Sequence, residues 1–216
     1  MTDSAAARRN MVEGQVRTAD VTDLRVIGAM LEIPRERFLP PASAGLAYLD
    51  LDAPLGEGSR RMLKPMVLSK MIQAADIAQS DRVLDLGCAT GYGAAVLSRM
   101  AGEVVALEQD ARLAEAAKAH LADRPNVRVV SGPLSAGWAA GALYDVIVME
   151  GASEIVPEPL FRQLKDGGRL VCVLGARPAA KATVFSRTGD EMGTRHIFDA
   201  AAAVLPGFVK PVEFAF

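Results

Sequence analysis

One short stretch, residues 83–93, constrains the fold of this chain more than any other. It reads VLDLGCATGYG: apolar residues around an acid, then a glycine-rich turn, with apolar residues at helical spacing after it. Gly87, Gly91 and Gly93 lack a Cβ atom and therefore tolerate positive φ. The pattern predicts a strand, a tight turn and a helix whose first amide groups point outward without partners. Such a turn brings a ligand against bare backbone.

The spacing of these glycines favours one class of ligand. The dinucleotide fingerprint is G-x-G-x-x-G, whereas this turn reads G-x-x-x-G-x-G, so its second glycine comes too late for a pyrophosphate. The run D-x-G-x-x-x-G resembles instead the first motif of class I S-adenosylmethionine (AdoMet) methyltransferases. Glu108 ends the next apolar run, 104–107, where an acid accepts hydrogen bonds from both hydroxyls of a ribose. We therefore expect AdoMet, and rank below it a nicotinamide or flavin cofactor and a generic turn with a surface glutamate.

Strands and helices alternate after Asp81. The strand candidates are 82–87, 103–108, 127–131, 144–149 and 168–175, and the helix candidates are 92–101, 111–122 and 157–165. Residues 182–186 and 195–198 flank a Gly-Asp turn and predict an antiparallel pair. The sequence therefore predicts an α/β fold of the Rossmann-like, class I methyltransferase type. We expect a mostly parallel seven-stranded sheet with helices on both faces and a C-terminal antiparallel hairpin.

The first eighty residues lack this alternation. A helical stripe follows a cap at Thr22 and stops before Pro34, and Pro65 begins a second helix. The stretch 49–64 is irregular and has no core of its own. We expect residues 1–80 to form a helical segment with a lid loop, packed on an AdoMet-binding domain of residues 81–216. The alternative for this loop is an ordinary surface loop.

Composition narrows the class of protein further. The net charge of the 216 residues is −2 and no basic stripe is present, so nucleic acid is not an expected partner. No run reaches the roughly 18 apolar residues of a membrane span, and residues 1–10 lack a signal-type apolar run. Cys88 and Cys172 are the two cysteines, and we expect them to be unpaired in a reducing cytoplasm. No metal-ligand or Ser-His-Asp cluster stands out, and His120 and His196 are interpreted as structural.

A more specific resemblance covers most of the chain, from Met11 to about Phe198. The segment 33–40 reads IPRERFLP, and the other matching stretches are 23–30, 46–48, 54–56, 83–94, 132, 137–138, 144–145, 157–160 and 164–171. Together these resemble the protein-L-isoaspartate O-methyltransferases. The resemblance implies methyl transfer from AdoMet to the free carboxylate of an isoaspartyl residue in a damaged protein, which is a repair reaction. A carboxylate is ionised at neutral pH and needs no general base, so the enzyme has to orient it and exclude water.

The resemblance also implies which residues form the site. On the acceptor side these are Arg61, Leu63 and Pro65. The implied cofactor-binding residues are Asp85, Gly87, Cys88, Ala89, Thr90, Gly91, Tyr92, Glu108, Gln109, Gly132, Pro133, Leu134 and Glu150.

Three of these positions depart from the family pattern. Leu63 replaces the serine of a T-I-S-x-P loop that lies against the methyl-transfer site, and the loop here is about one residue longer. Pro133 replaces the aspartate of a G-D-G run that faces the adenine. Glu150 replaces a small threonine-alanine run and places a negative charge near the cofactor pocket.

Leu63 has the clearest consequence, because leucine donates no hydrogen bond and a carboxylate buried against it is costly. We therefore expect AdoMet binding to persist and isoaspartyl methylation to be weak. Two alternatives remain open. One is a methyltransferase with a different acceptor, whose pocket is reshaped by Arg60, Arg61, Leu63 and Glu150. The other is a non-catalytic AdoMet-binding protein.

Overall fold

A seven-stranded sheet organises the computed structural model, which describes residues 3–176 and 178–211. Its strands, with the two of a small separate hairpin, are Ala53–Pro54 (β1), Arg61–Met62 (β2), Arg82–Leu86 (β3), Glu103–Glu108 (β4), Val127–Ser131 (β5), Tyr144–Ser153 (β6), Leu164–Leu174 (β7), Lys181–Thr188 (β8) and Glu191–Asp199 (β9). The α-helices are Ser4–Met11 (α1), Leu24–Glu32 (α2), Pro65–Ala74 (α3), Tyr92–Leu97 (α4), Ala111–His120 (α5) and Glu158–Phe161 (α6). Short 3₁₀ and π turns span Val12–Val16, Arg17–Ala19, Arg35–Phe38, Pro41–Leu46, Leu134–Ala136 and Ala139–Gly141.

The order of the strands confirms the predicted fold class. It is β5-β4-β3-β6-β7-β8-β9, in which the first five strands are parallel and β8 and β9 add antiparallel to β7. The strand order reverses beside β3, because β4 and β6 lie on its two sides. In open parallel sheets a ligand binds at the carboxyl ends of the strands at this switch point. The glycine-rich turn follows β3 and therefore lies there.

Alternate residues of β3 pack on opposite faces of the sheet. Val83 packs on one face, beneath helices from α1 to α5, whereas Leu84 and Leu86 pack on the other, beneath α6 and the C-terminal segment that includes Phe208. This period of two is the ordinary geometry of a strand. Phe208 is buried, and residues 212–216 of the expected 81–216 domain lie outside the described residues.

The N-terminal segment packs against α3 and α4 with apolar side chains from α1 and α2, including Met11, Val26 and Met30. The short hairpin of β1 and β2 lies within residues 49–64, for which the sequence predicts no regular structure. Among the described residues, no helix has the length and apolar character needed to cross a membrane.

Several predicted boundaries were wrong. Asp23, not Thr22, caps α2, and its carboxylate accepts the Arg25 amide at 2.8 Å; Thr22 instead donates its amide to Gln73. The helices predicted over 92–101 and 111–122 end at Leu97 and His120.

The largest difference between prediction and structure lies in residues 157–175. The sequence predicts a helix over 157–165 and a strand over 168–175. The helix ends at Phe161, and β7 already begins at Leu164, which pairs with Tyr144. The register then shifts to the pair Val146–Arg169, so the glycines of the predicted turn form an irregularity inside the strand. Pairing with β6 outweighs local helix propensity here, because it satisfies backbone groups at the edge of the parallel sheet.

The packing of Gly91 gives a test of this fold. Its φ is +94°, and a Cβ atom there would lie 2.7 Å from the Leu121 side chain, so we expect Gly91→Ala to lower the free energy of unfolding by about 1–3 kcal/mol. Gly28 is the matched control, because it is exposed in α2 with nothing within 4 Å of such an atom. Gly28→Ala should stabilise the protein by about 0.5–1 kcal/mol through helix propensity. Urea denaturation measures both, and equal effects would contradict this packing.

Candidate functional site

Three acidic side chains lie on one face of the sheet at the carboxyl ends of three adjacent strands. Asp85 of β3 pairs with Ala106 of β4 and with Val148 of β6. Glu108 and Glu150 each lie two residues beyond those partners, so all three side chains share a face. All three are buried, Asp85 and Glu108 completely. The structure therefore brings together three carboxyl groups that are far apart in the sequence.

Glu108 accepts four hydrogen bonds. Its Oε1 accepts the amides of Gln109 at 2.8 Å and Asp110 at 3.0 Å. Its Oε2 accepts the Ala89 amide at 2.8 Å and Nη2 of Arg60 at 2.6 Å. Glu108 thus links the end of its own strand to the glycine-rich turn and to the loop between β1 and β2.

Asp85 and Glu150 form a second, less satisfied pair. Burial raises the pKa of Asp85 to about 7, and the nearby charge of Glu108 also raises it. Burial and the adjacent Asp85 raise the pKa of Glu150 well above its usual range. Within the described residues, neither oxygen of Asp85 nor Oε1 of Glu150 has a hydrogen-bond partner of normal geometry. Burial next to another acid therefore shifts both pKa values upward and favours a proton on the pair.

The glycines of the turn serve three different purposes. Gly87 has a φ of +79°, and a Cβ atom there would lie 3.1 Å from the Leu205 side chain and 3.6 Å from Nη1 of Arg60. Gly91 makes room for Leu121 of the segment after α5. Gly93 makes room for Glu150, because a Cβ atom there would lie 1.8 Å from Oε1. Of the three, only Gly87 has its backbone covered by Arg60, which donates to its carbonyl at 3.0 Å.

Other residues of the turn face the N-terminal segment. Thr90 donates its hydroxyl to the Phe38 carbonyl at 2.6 Å, and Tyr92 packs edge-to-face on the Phe38 ring. Cys88 is buried, with its amide bound to the Leu107 carbonyl, and Ala89 adopts a φ of +53°. We therefore expect Thr90 and Tyr92 to act through backbone position and packing, since their side chains are engaged elsewhere.

Arg35 was not singled out as a site residue, although it lies within the segment 33–40. Its guanidinium is fully buried 4.8 Å from the Tyr92 ring centre and donates to the carbonyls of Ala47 at 2.8 Å and Leu63 at 2.6 Å. Burial lowers the pKa of Arg35, and Tyr92 and Glu150 oppose that shift. Arg35 therefore fixes the backbone of the loop in which Leu63 lies. Arg35 stands beside Glu36 and Arg37, so no local signal in the sequence marks it as the buried one of these charges.

Leu63 is buried beside Glu150, with Arg60, Val204 and Leu205 around the same small cavity of about 10 Å³. Pro65 is the first residue of α3 and is buried next to this loop. Residues 203–205 also line this cavity, and the sequence does not predict their place there because they form no motif. Their backbone runs along the end of β6, with the Leu205 amide bound to the Ala152 carbonyl at 2.9 Å.

A larger groove of about 690 Å³ opens beside this cavity. Arg61 and Lys64 line it with the acids Asp50 and Asp52 and with residues 201–203. Arg61 donates to the carbonyls of Gly58 and Arg60, and it lines both this groove and the small cavity beside Glu150.

The remaining predicted residues lie at the rim beyond Glu108. Gln109 is exposed, and its Oε1 accepts the Leu134 amide at 3.3 Å. Gly132 binds the Glu108 carbonyl through its amide, Pro133 is exposed and Leu134 is buried. The loops after β4 and β5 are thereby held together, with no acidic side chain at Pro133.

A strand-order switch, a glycine-rich turn and an acid at the end of the second parallel strand define a class I methyltransferase. The comparisons agree: residues 6–202 match the model of the protein-L-isoaspartate(D-aspartate) O-methyltransferase family. Protein-L-isoaspartate O-methyltransferase 1 of Rhodopseudomonas palustris (strain HaA2) is 39% identical over 95% of this chain and 85% of its own length. The protein-L-isoaspartate O-methyltransferase of Methylorubrum extorquens (strain PA1) is 42% identical over 80% of this chain and 76% of its own.

Solved structures of similar proteins agree with this family. One protein-L-isoaspartate O-methyltransferase has a TM-score of 0.79 at 28% identity, over 93% of this chain and 66% of its own. A Plasmodium falciparum protein described as a putative member, in complex with S-adenosyl-L-homocysteine, has a TM-score of 0.78 at 16% identity, which concerns the fold alone. The chain belongs to the protein-L-isoaspartate O-methyltransferase family. The predicted family, fold and class of enzyme, an AdoMet-dependent O-methyltransferase, are confirmed.

The contact between Gly93 and Glu150 gives a test of the carboxyl cluster. Gly93→Ala should cost about 2–4 kcal/mol of unfolding free energy, because the new methyl group displaces a buried carboxyl group. In a Glu150→Ala background the space is free, and the same change should cost less than about 1 kcal/mol. Denaturation of the four proteins of this cycle measures the coupling. Additive effects would show that Glu150 does not lie over Gly93.

Proposed function

We propose that this protein transfers the methyl group of AdoMet to the free carboxylate of isoaspartyl residues in peptides and proteins. The cluster of Asp85, Glu108 and Glu150 beside the Gly87 turn, in a chain of this family, carries the proposal. We also propose that it works in the cytoplasm, where reducing conditions keep the two buried cysteines as free thiols.

The residues offer AdoMet acceptors of the right chemical kind. The amino group and the sulfonium of AdoMet are positive, and the unpartnered oxygens of Asp85 and Glu150 are buried acceptors on one side of the turn. Glu108 suits the ribose hydroxyls, because its carboxylate lies at the end of β4, next to the turn. The loops of Gln109 and of 132–134 form the rim beyond it, where an adenine would lie. In this assignment Pro133 contributes backbone and packing only.

AdoMet supplies a methyl group on a positively charged sulfur, and its methyl–sulfur bond breaks as the carboxylate oxygen bonds to the methyl carbon. Because no proton moves, the chain needs only to orient the acceptor and exclude water. Arg61 and Lys64 offer cationic groups to a carboxylate in the groove, where Asp50 and Asp52 balance their charge, and Leu63 lies between that groove and Glu150. Arg35 acts on this step indirectly, since it fixes the Leu63 carbonyl.

A pair of peptides tests the proposal. The protein is incubated with methyl-labelled AdoMet and a peptide that contains one isoaspartyl residue, and with the same sequence that contains aspartate. Labelled ester in the isoaspartyl peptide alone supports the proposal. Equal labelling of both peptides, or of neither, contradicts it.

The cofactor assignment makes a separate prediction. We expect calorimetry to detect AdoMet and S-adenosylhomocysteine, but not NAD, and Glu108→Ala to weaken binding by about 2–4 kcal/mol, the loss of two hydrogen bonds to a charged acceptor. Glu103→Ala is the control, because Glu103 lies at the other end of the same strand in an ion pair with Arg82. Unchanged affinity in the Glu108 variant would contradict the assignment.

Leu63 is predicted to limit the rate. A serine hydroxyl near a charged partner contributes roughly 1.5–3 kcal/mol, which is about ten- to a hundredfold in rate if it acts in the transition state. We therefore expect Leu63→Ser to raise isoaspartyl methylation with little change in AdoMet affinity, and the remote, exposed Leu143→Ser to change neither. Rapid turnover by the unmodified protein that the Leu63 variant does not improve would contradict this role.

A further inference from the structure

Arg60 occupies the acceptors at the centre of the cofactor site. Its Nη2 donates to the Gly87 carbonyl at 3.0 Å and to Oε2 of Glu108 at 2.6 Å. The side chain of Arg60 is 14% exposed and that of Glu108 is 1% exposed, so the ion pair is largely shielded from water. Such a pair is stronger than a surface ion pair. An arginine therefore bridges the glycine-rich turn and the acid assigned to the ribose.

Glu108 has no acceptor capacity to spare while Arg60 is in place. Its other donors are the amides of Ala89, Gln109 and Asp110, which the fold holds at the turn and at the start of α5. A carboxylate offers about four lone-pair sites, and these three amides with Arg60 fill them. Of the four donors, only Arg60 comes from a loop outside the sheet and its helices. A ribose hydroxyl that binds Glu108 therefore has to replace Arg60.

The surroundings of Arg60 agree with this replacement. Residues 56–59 are exposed, and Gly56 and Gly58 adopt positive φ, so the loop that carries Arg60 extends into solvent. On the opposite side, Leu205 lies against Gly87 and Gly151. The cavity that remains between Arg60, Leu205 and Glu150 is about 10 Å³, hardly the size of one water molecule.

We propose that Arg60 is an internal competitor for the cofactor, whose guanidinium takes the Gly87 carbonyl and the Glu108 carboxylate and thereby sets the affinity for AdoMet. This inference rests on the proposed function, because it assumes that AdoMet binds at Glu108. The form with Arg60 inside cannot accept the ribose, and the form with Arg60 withdrawn can. The apparent affinity is then reduced by the fraction of molecules in the withdrawn form.

The experiment compares AdoMet and S-adenosylhomocysteine binding to the full chain and its variants by calorimetry. Arg60→Ala removes the competitor, and we expect binding at least about tenfold tighter, as for a protein that is withdrawn about a tenth of the time. Arg82→Ala is the matched control, because it removes the same charge and an Arg–Glu ion pair at the other end of β3 and β4. Its affinity should equal that of the unmodified protein. Arg60→Gln keeps most of the side-chain length without the charge, and this variant should also bind AdoMet more tightly. It replaces Arg60→Ala in the comparison if the alanine variant does not fold.

The outcomes separate this inference from the function on which it rests. Tighter binding of both ligands by the Arg60 variants alone supports it. Equal or weaker binding by these variants, in a protein that binds AdoMet, overturns the competition and leaves the methyltransferase assignment intact. If neither the unmodified protein nor the variants bind AdoMet or S-adenosylhomocysteine, the cofactor assignment fails and this inference fails with it.

Discussion

The balance of buried charge at the end of the parallel sheet is the constraint on which the site depends. Asp85, Glu108 and Glu150 lie on one face within adjacent strands, and burial of three ionised carboxylates together is prohibitively costly. Two features of the structure reduce this cost. Arg60 and three backbone amides hold Glu108, while burial raises the pKa of Asp85 and of Glu150 and thereby favours a proton on their pair. The buried charges are therefore largely balanced while Arg60 is in place.

The two buried cations of this region come from the first eighty residues. Arg35 reaches the Leu63 carbonyl and the Tyr92 ring from the turn after α2, and Arg60 reaches Glu108 from the loop between β1 and β2. The N-terminal segment therefore supplies both the wall and the charge balance of the site. These contacts are the physical basis for the prediction that residues 1–80 belong to the active-site architecture.

Glu150 and Gly93 illustrate how a departure from the family pattern is accommodated. A glutamate in place of a small residue needs space for a larger side chain, and the missing Cβ atom of Gly93 provides it. Leu63 needs no such accommodation, because it packs within the main apolar core. We expect Glu150 to change the charge beside the cofactor turn and Leu63 to remove a hydrogen-bond donor from the acceptor side. Both side chains border the same small cavity.

The sequence alone determined the class of fold and predicted the cofactor turn, because strand alternation, glycine spacing and the acid of Glu108 are local signals. The family followed from its resemblance at further segments such as 33–40. The sequence also predicted correctly that a helix, α3, begins at Pro65. It misjudged the end of α6 and the start of β7, since the pairing of Leu164 with Tyr144 depends on a strand twenty residues away. Only the tertiary structure decided that Gly91 and Gly93 make room for side chains, that Arg35 is buried, and that Arg60 and Leu205 close over Gly87. Those contacts join segments that no local pattern relates, because burial and charge pairing act through space and not along the chain.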